Sequence, residues 1–190
     1  LGIPQMKVLT FTNYRDARPV PQAMDRFAKG GAVCRQHFFP QDEILKTIHQ
    51  HGIDKVVFHL RDPRRALISW VFYQEATLRT HSNPGKYVRG TVPEEYARTT
   101  FAEKVREQID QFLEPSVELA DQWIEAQQAN PYGIDVKITR FEDMVDDPDQ
   151  FFDDIFSFYG VKQGSPFATF SASVKRALGN PDTHKKRGSN

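Results

Sequence analysis

The stretch from Lys55 to Tyr73, KVVFHLRDPRRALISWVFY, constrains the fold more than any other part of the chain. Val56, Val57, Phe58 and Leu60 make a short apolar run rich in β-branched and aromatic residues, which predicts a strand. Arg61 ends that run and Asp62-Pro63 turns the chain. Aspartate is a favoured N-cap, and proline suits the first helical position because its missing N–H would lack a partner there anyway. A helix is predicted to follow, with Ala66, Leu67, Trp70 and Tyr73 facing a core and Arg64, Arg65 and Ser69 facing elsewhere. Strand, turn and helix N-terminus together offer an anion both free N–H groups and the positive end of the dipole. Arg61 stands at the mouth of such a site, and Ser69 is two turns along the helix from it. Each residue also has an ordinary reading: buried strands end in arginine, and helical serines are commonly just solvated.

The spacing of Arg61-Asp62-Pro63 to Ser69, with aromatic residues following, resembles the 3′-phosphate-binding segment of sulfotransferases that use 3′-phosphoadenosine 5′-phosphosulfate (PAPS). The resemblance implies that Arg61 and Ser69 hold the 3′-phosphate of the donor. It also implies an α/β fold of the P-loop nucleotide-kinase kind, with a central, mostly parallel sheet of about four strands flanked by helices.

Three further segments fit the same family in order. His37, in RQHFFP, is predicted to close a strand shortly before Pro40, where the family has a catalytic histidine. An imidazole with an ordinary pKa of about 6.5 is largely neutral near pH 7 and able to accept a hydroxyl proton. Arg35 stands where the family often has lysine, keeping charge but changing geometry. Phe141, in ITRFEDMVDD, matches an aromatic position that touches adenine, commonly tyrosine in the family; phenylalanine stacks without donating a hydrogen bond. Glu142 and Asp143 follow it and are read as structural carboxylates splaying apart on a strand. Lys186, Arg187 and Gly188 in the tail match a basic segment that closes over the 3′-phosphate, with lysine and arginine exchanged. Two cations and a glycine suit a phosphate, although basic tails are more often simply solvated.

The family's glycine-rich loop after the first strand, which binds the 5′-phosphosulfate, has no counterpart between Leu1 and Gly31, where MKVLTF is followed by TNYRDARPVP. The expectation is therefore a single sulfotransferase-like domain over residues 1–190, N-terminally incomplete, transferring a sulfuryl group from PAPS to a hydroxyl or amine and leaving adenosine 3′,5′-bisphosphate (PAP). A degenerate donor site in a non-catalytic 3′-phosphonucleotide-binding domain is the alternative. A small ATP-dependent kinase-like transferase is a third reading, against which stands the lack of any GxxxxGK[ST] sequence.

Composition sets outer bounds. A chain of 190 residues suits one domain with a sizeable core. Twenty-five Lys and Arg balance 25 Asp and Glu, so no global field favours nucleic acid or an anionic membrane. The acceptor expected is a small molecule or glycan, with homodimerisation left open. Cys34 is the only cysteine, which rules out an internal disulfide and points to a reducing, cytoplasmic setting. No apolar run approaches the ~20 residues of a membrane helix.

Along the chain, strands are predicted over Met6–Phe11, Ala32–His37 and Ile134–Thr139, and helices over Pro21–Ala28 and Asp42–His51. A long helical region from Pro93 to Asn130 is predicted to split or kink at Pro115. Asp147-Pro148 is predicted to cap an aromatic core helix ended by Gly160. His81–Val92 is a predicted loop and Ser165–Leu178 a final helix. None of the histidines has convincing metal-ligand spacing, and no metal is expected.

Overall fold

Aspartate, proline and glycine punctuate the chain in the computed structural model, which describes residues 4–10, 15–80, 96 and 98–161. In order these residues form β1 (Gln5–Met6), β2 (Leu9–Thr10), β3 (Arg18–Pro19), α1 (Pro21–Ala28), β4 (Val33–Cys34), α2 (Asp42–Gln50), β5 (Lys55–Leu60) and α3 (Pro63–Thr80). There follow α4 (Phe101–Gln108), a π-helical turn (Ile109–Leu113), α5 (Glu114–Ala129), a 3₁₀ turn (Pro131–Gly133), β6 (Asp135–Arg140), α6 (Phe141–Asp146) and α7 (Pro148–Phe158). The chain is mixed α/β, and strand pairing among the described residues makes three two-stranded sheets: β1 with β4 and β5 with β6, both parallel, and β2 with β3, antiparallel. No helix among the described residues is long and apolar enough to cross a membrane. The predicted loop His81–Val92, the predicted helix Ser165–Leu178 and the basic tail lie outside the described residues.

The chain divides into two compact units, residues 1–60 with 122–190, and residues 61–121. In the first, α2 shows why local sequence suffices. Asp42 and Glu43 meet the dipole at its start, and Ile44, Leu45 and Ile48 are 1–4 % exposed on one face. The chain turns out of this helix at Gly52 with φ +73°, a conformation that costs a side chain with Cβ about 1–2 kcal/mol. β5 and β6 pair in register from Lys55 opposite Asp135 to Leu60 opposite Arg140. Against them Trp123 of α5, 2 % exposed, stacks on Phe58 with ring centroids 5.3 Å apart. Asp147 caps α7 by accepting the Gln150 N–H at 3.0 Å, Pro148 takes the first turn, Phe151 is buried, and Gly160 follows with φ +67°, as the sequence indicates.

Two predicted strands are shorter than the sequence suggests, for one reason. The side-chain amide of Gln36 acts as a strand partner to β2. Its Oε1 accepts from the Val8 and Leu9 N–H groups at 2.7 and 2.9 Å, and its Nε2 donates to the Leu9 carbonyl at 2.7 Å. The Val8 N–H and both backbone groups of Leu9 are thereby occupied, while the Val8 carbonyl accepts the Val20 N–H at 2.9 Å. β4 stops at Cys34, well short of His37, and the predicted strand Met6–Phe11 breaks into β1 and β2, which pair with different partners. Glu142 and Asp143 also differ from expectation: they stand in the first turn of α6, not on a strand.

The second unit packs α3 against α4 around a polar interior. The buried stripe of α3 is Leu67, Val71, Gln74 and Thr77, all at most 4 % exposed, so the helix is rotated from the predicted face and Tyr73 is exposed. Gln74 fits that stripe because the Tyr96 hydroxyl donates to its Oε1 at 2.7 Å; around it the Trp70 indole N–H donates to Gln108 Oε1 at 3.0 Å and Lys104 Nζ to Glu75 Oε1 at 2.9 Å. Tyr73 instead lies against Trp70, 5.5 Å between centroids. Thr100 and Glu103 form a capping box at the start of α4. Pro115 does not split the helical run. The π turn just before it lets the Glu114 N–H reach back to the Ile109 carbonyl, widening the coil where the proline ring would press on residue i−4.

Candidate functional site

Arg61 leaves the end of β5, and Asp62 then governs everything at the start of α3. Its Oδ1 accepts the Arg64 backbone N–H at 2.9 Å and the Arg64 Nε at 3.1 Å, while Oδ2 takes the Arg64 Nη2 at 2.9 Å. Its backbone carbonyl accepts the Ala66 N–H at 2.9 Å. The Arg64 side chain, as the strongest of these donors, holds the Asp62 carboxyl down to about 2, and the Arg64 guanidinium is raised in return. Pro63 has no N–H to offer. The expectation of a helix N-terminus with free donors is therefore corrected: the cap and an external anion compete for the same groups, and the cap holds them. What α3 presents to a ligand is side chains.

Those side chains line one open depression of about 590 Å³, a volume suited to a small ligand. Arg61, Arg65 and Ser69 share it with the Arg64–Asp62 pair, while Ile68 and Phe72 form its apolar end. Three arginines against one aspartate leave a formal excess of two positive charges. The two residues matched to the 3′-phosphate, Arg61 just before α3 and Ser69 on it, thus line one surface, with Arg65 one helical turn before Ser69.

No family model, curated protein or solved structure matches this chain.

The other matched positions belong to the first unit. His37 is exposed and lies outside any helix or strand, beyond β4. Its neighbour Phe38 is fixed by a residue the sequence reading passed over. The Trp123 indole N–H donates to the Phe38 carbonyl at 3.1 Å, and the two rings meet edge to face at 5.3 Å. Phe39 is 3 % exposed, with the Arg15 guanidinium 4.9 Å from its ring. His37 is therefore an exposed imidazole on an anchored backbone. The available signal was Leu119, Trp123 and Ala126 at helical spacing, which marks a core face but not the carbonyl it reaches.

Phe141, the first residue of α6, is half-buried with its ring 6.3 Å from His59. His59 lies between Phe141 and Phe151, its Nδ1 3.0 Å from Thr139 Oγ1. Burial pushes its imidazole below the usual histidine range, against the pull of the Glu142 and Asp143 carboxylates. Glu142 Oε1 is buried without a hydrogen-bond partner among the described residues. Lys186, Arg187 and Gly188 lie outside the described residues.

Proposed function

We propose that the chain binds a 3′-phosphonucleotide through Arg61 and Ser69 and transfers a sulfuryl group from PAPS to a hydroxyl or amine acceptor. The observation that carries this reading is the depression on α3, where the two residues matched to the 3′-phosphate stand on one surface with excess positive charge. Arg65 lines the same surface and adds a cation that the sequence comparison did not single out. Charge-assisted hydrogen bonds from guanidinium and hydroxyl suit a phosphate dianion better than a neutral ligand.

In this reaction His37 accepts the proton of the acceptor group while a new S–O or S–N bond forms. The S–O bond to the 5′-phosphate breaks, and PAP leaves with the bond's electron pair. The proton on His37 then passes to water. Transfer of this kind depends on in-line placement and on stabilising charge at the leaving oxygen. The resemblance assigns Phe141 to adenine and Lys186, Arg187 and Gly188 to the 3′-phosphate.

A non-catalytic 3′-phosphonucleotide-binding domain is the second reading. It needs only the phosphate-facing side chains of the depression and no group aimed at the transferred sulfuryl. Calorimetric titration with PAP, 5′-AMP and ATP tests both. Preference for PAP, reduced roughly tenfold or more in Arg61→Ala and in Ser69→Ala, is the expected result. Turnover of labelled PAPS with acceptor mixtures then separates enzyme from binding domain. Equal affinity for ATP and PAP would count against both and favour an ATP-dependent transferase.

A further inference from the structure

Phe72 is 55 % exposed and Ile68 is 37 % exposed, yet both line the depression that carries the arginines. Burying such side chains is worth roughly 1.5–3 kcal/mol each, so a chain gains by covering them. Phe72 has an aromatic neighbour on one side, Phe101, itself 38 % exposed. Its ring lies 5.0 Å from that of Phe101 at 35°, so Phe101 backs it while more than half of the residue stays open to solvent. Helical side chains lean toward the N-terminus of their helix, which carries the Phe72 ring toward Ser69 and Ile68. Arg65 and Phe72 are seven residues apart, about 10 Å along the axis, and the long arginine side chain shortens that gap. One helical face thus runs from cations through a hydroxyl to an open aromatic ring. An inorganic anion would satisfy only the first part of it.

We infer that Phe72, backed by Phe101, is the platform on which the planar ring of an anionic ligand stacks. Resting on the 3′-phosphonucleotide reading, that ring is the base. Phe72 then takes the role that the resemblance gives to Phe141, whose ring is half-buried beside His59. Every nucleobase has a π face, so such a platform contributes affinity without choosing among bases. Selectivity at this site is accordingly for a phosphate carried next to a ring.

The test is titration of the full chain with PAP and, separately, with inorganic pyrophosphate, which has no ring. Phe72→Ala is expected to weaken PAP on the order of tenfold, the loss of one base–aromatic stack, and to change pyrophosphate affinity less than about twofold. Phe72→Leu keeps apolar bulk for folding but lacks the π face, so it should lose nearly as much PAP affinity, and Phe72→Trp should recover it. A hypochromic change in the adenine band on binding should be present in the wild type and absent in Phe72→Leu. PAP affinity that depends on Arg61 and Ser69 but is unchanged in Phe72→Leu overturns the platform and leaves the phosphate site standing. A parallel loss of PAP and pyrophosphate also overturns it, because Phe72 would then act through the fold. A folded wild-type chain that ignores PAP overturns the 3′-phosphonucleotide reading and this inference with it.

Discussion

Replacing Trp123 by phenylalanine tests how the indole anchors Phe38, the residue next to His37. The indole fills a site only 2 % exposed, stacks on Phe58 and donates to the Phe38 carbonyl at 3.1 Å. Phenylalanine keeps an aromatic ring there but removes the N–H. Losing a hydrogen bond of this type costs about 1 kcal/mol, more if the Phe38 carbonyl is left buried and unsatisfied. The volume of the missing second ring adds about 1 kcal/mol of incompletely filled cavity. The total is about 2 kcal/mol. With a urea m-value of about 2 kcal/mol/M, that lowers the unfolding midpoint by about 1 M. Trp123→Ala removes stack, bond and volume together and should cost about 3–5 kcal/mol. Far-UV circular dichroism is the suitable probe, since only two tryptophans are present and the substitution removes one. Hydrogen exchange then localises the effect: amides around Phe38 should lose protection in Trp123→Phe beyond the global change. A midpoint within about 0.2 M of wild type, or a stability loss spread evenly with no added exchange near Phe38, would refute the idea that Trp123 anchors the histidine segment.

The Lys104–Glu75 pair gives a second check. Its side chains are 8 % and 20 % exposed, so Lys104→Met should destabilise by about 2 kcal/mol, below the 3–5 kcal/mol of a fully buried pair, and adding Glu75→Gln should recover part of the loss; urea midpoints of the single and double variants decide it, and a single variant as stable as wild type rejects the pair. Asp62 provides the pH dependence. Its folded pKa of about 2 lies below the unfolded value of about 3.9, so its contribution is complete above that unfolded value and disappears as pH falls through about 2. The difference in unfolding midpoint between wild type and Asp62→Asn should therefore shrink between pH 4 and pH 2, and a constant difference would show that the carboxylate is not what holds the turn.

Where local chemistry alone sets the structure, the sequence was readable. The acidic start and apolar spacing of α2, the Asp-Pro starts of α3 and α7 and the glycine stops at Gly52 and Gly160 all depend on neighbours within a few residues. The strand lengths near the N-terminus were not readable, because Gln36 substitutes a side-chain amide for a backbone partner 27 and 28 residues away. The face of α3 was misjudged because Gln74 and Thr77 are buried, and an apolar pattern has no means of counting a glutamine satisfied by Tyr96. At the candidate site, Asp62 was recognised as a cap, yet the cap and the expected anion site drew on the same N–H groups, and only the hydrogen-bond geometry shows which of them is served. The strand–turn–helix order that sets Arg61 ahead of Ser69 was readable, whereas the apolar end at Phe72 depends on Phe101, which is distant in sequence.

The Asp62–Arg64 pair is also a counter-ion that the chain carries with it. A cluster of arginines ordinarily gathers mobile anions from the buffer, and a ligand has to compete with them as ionic strength rises. One of the three guanidinium groups in this depression is already matched by a tethered carboxylate, which does not dilute or exchange. Towards dissolved salt the surface therefore behaves as a doubly rather than a triply charged site. Its affinity for an anion should decline more gently between dilute buffer and physiological salt than that of a bare three-arginine cluster. The same carboxylate that deprives a ligand of the helix's N–H groups thus makes the remaining attraction steadier across ionic conditions.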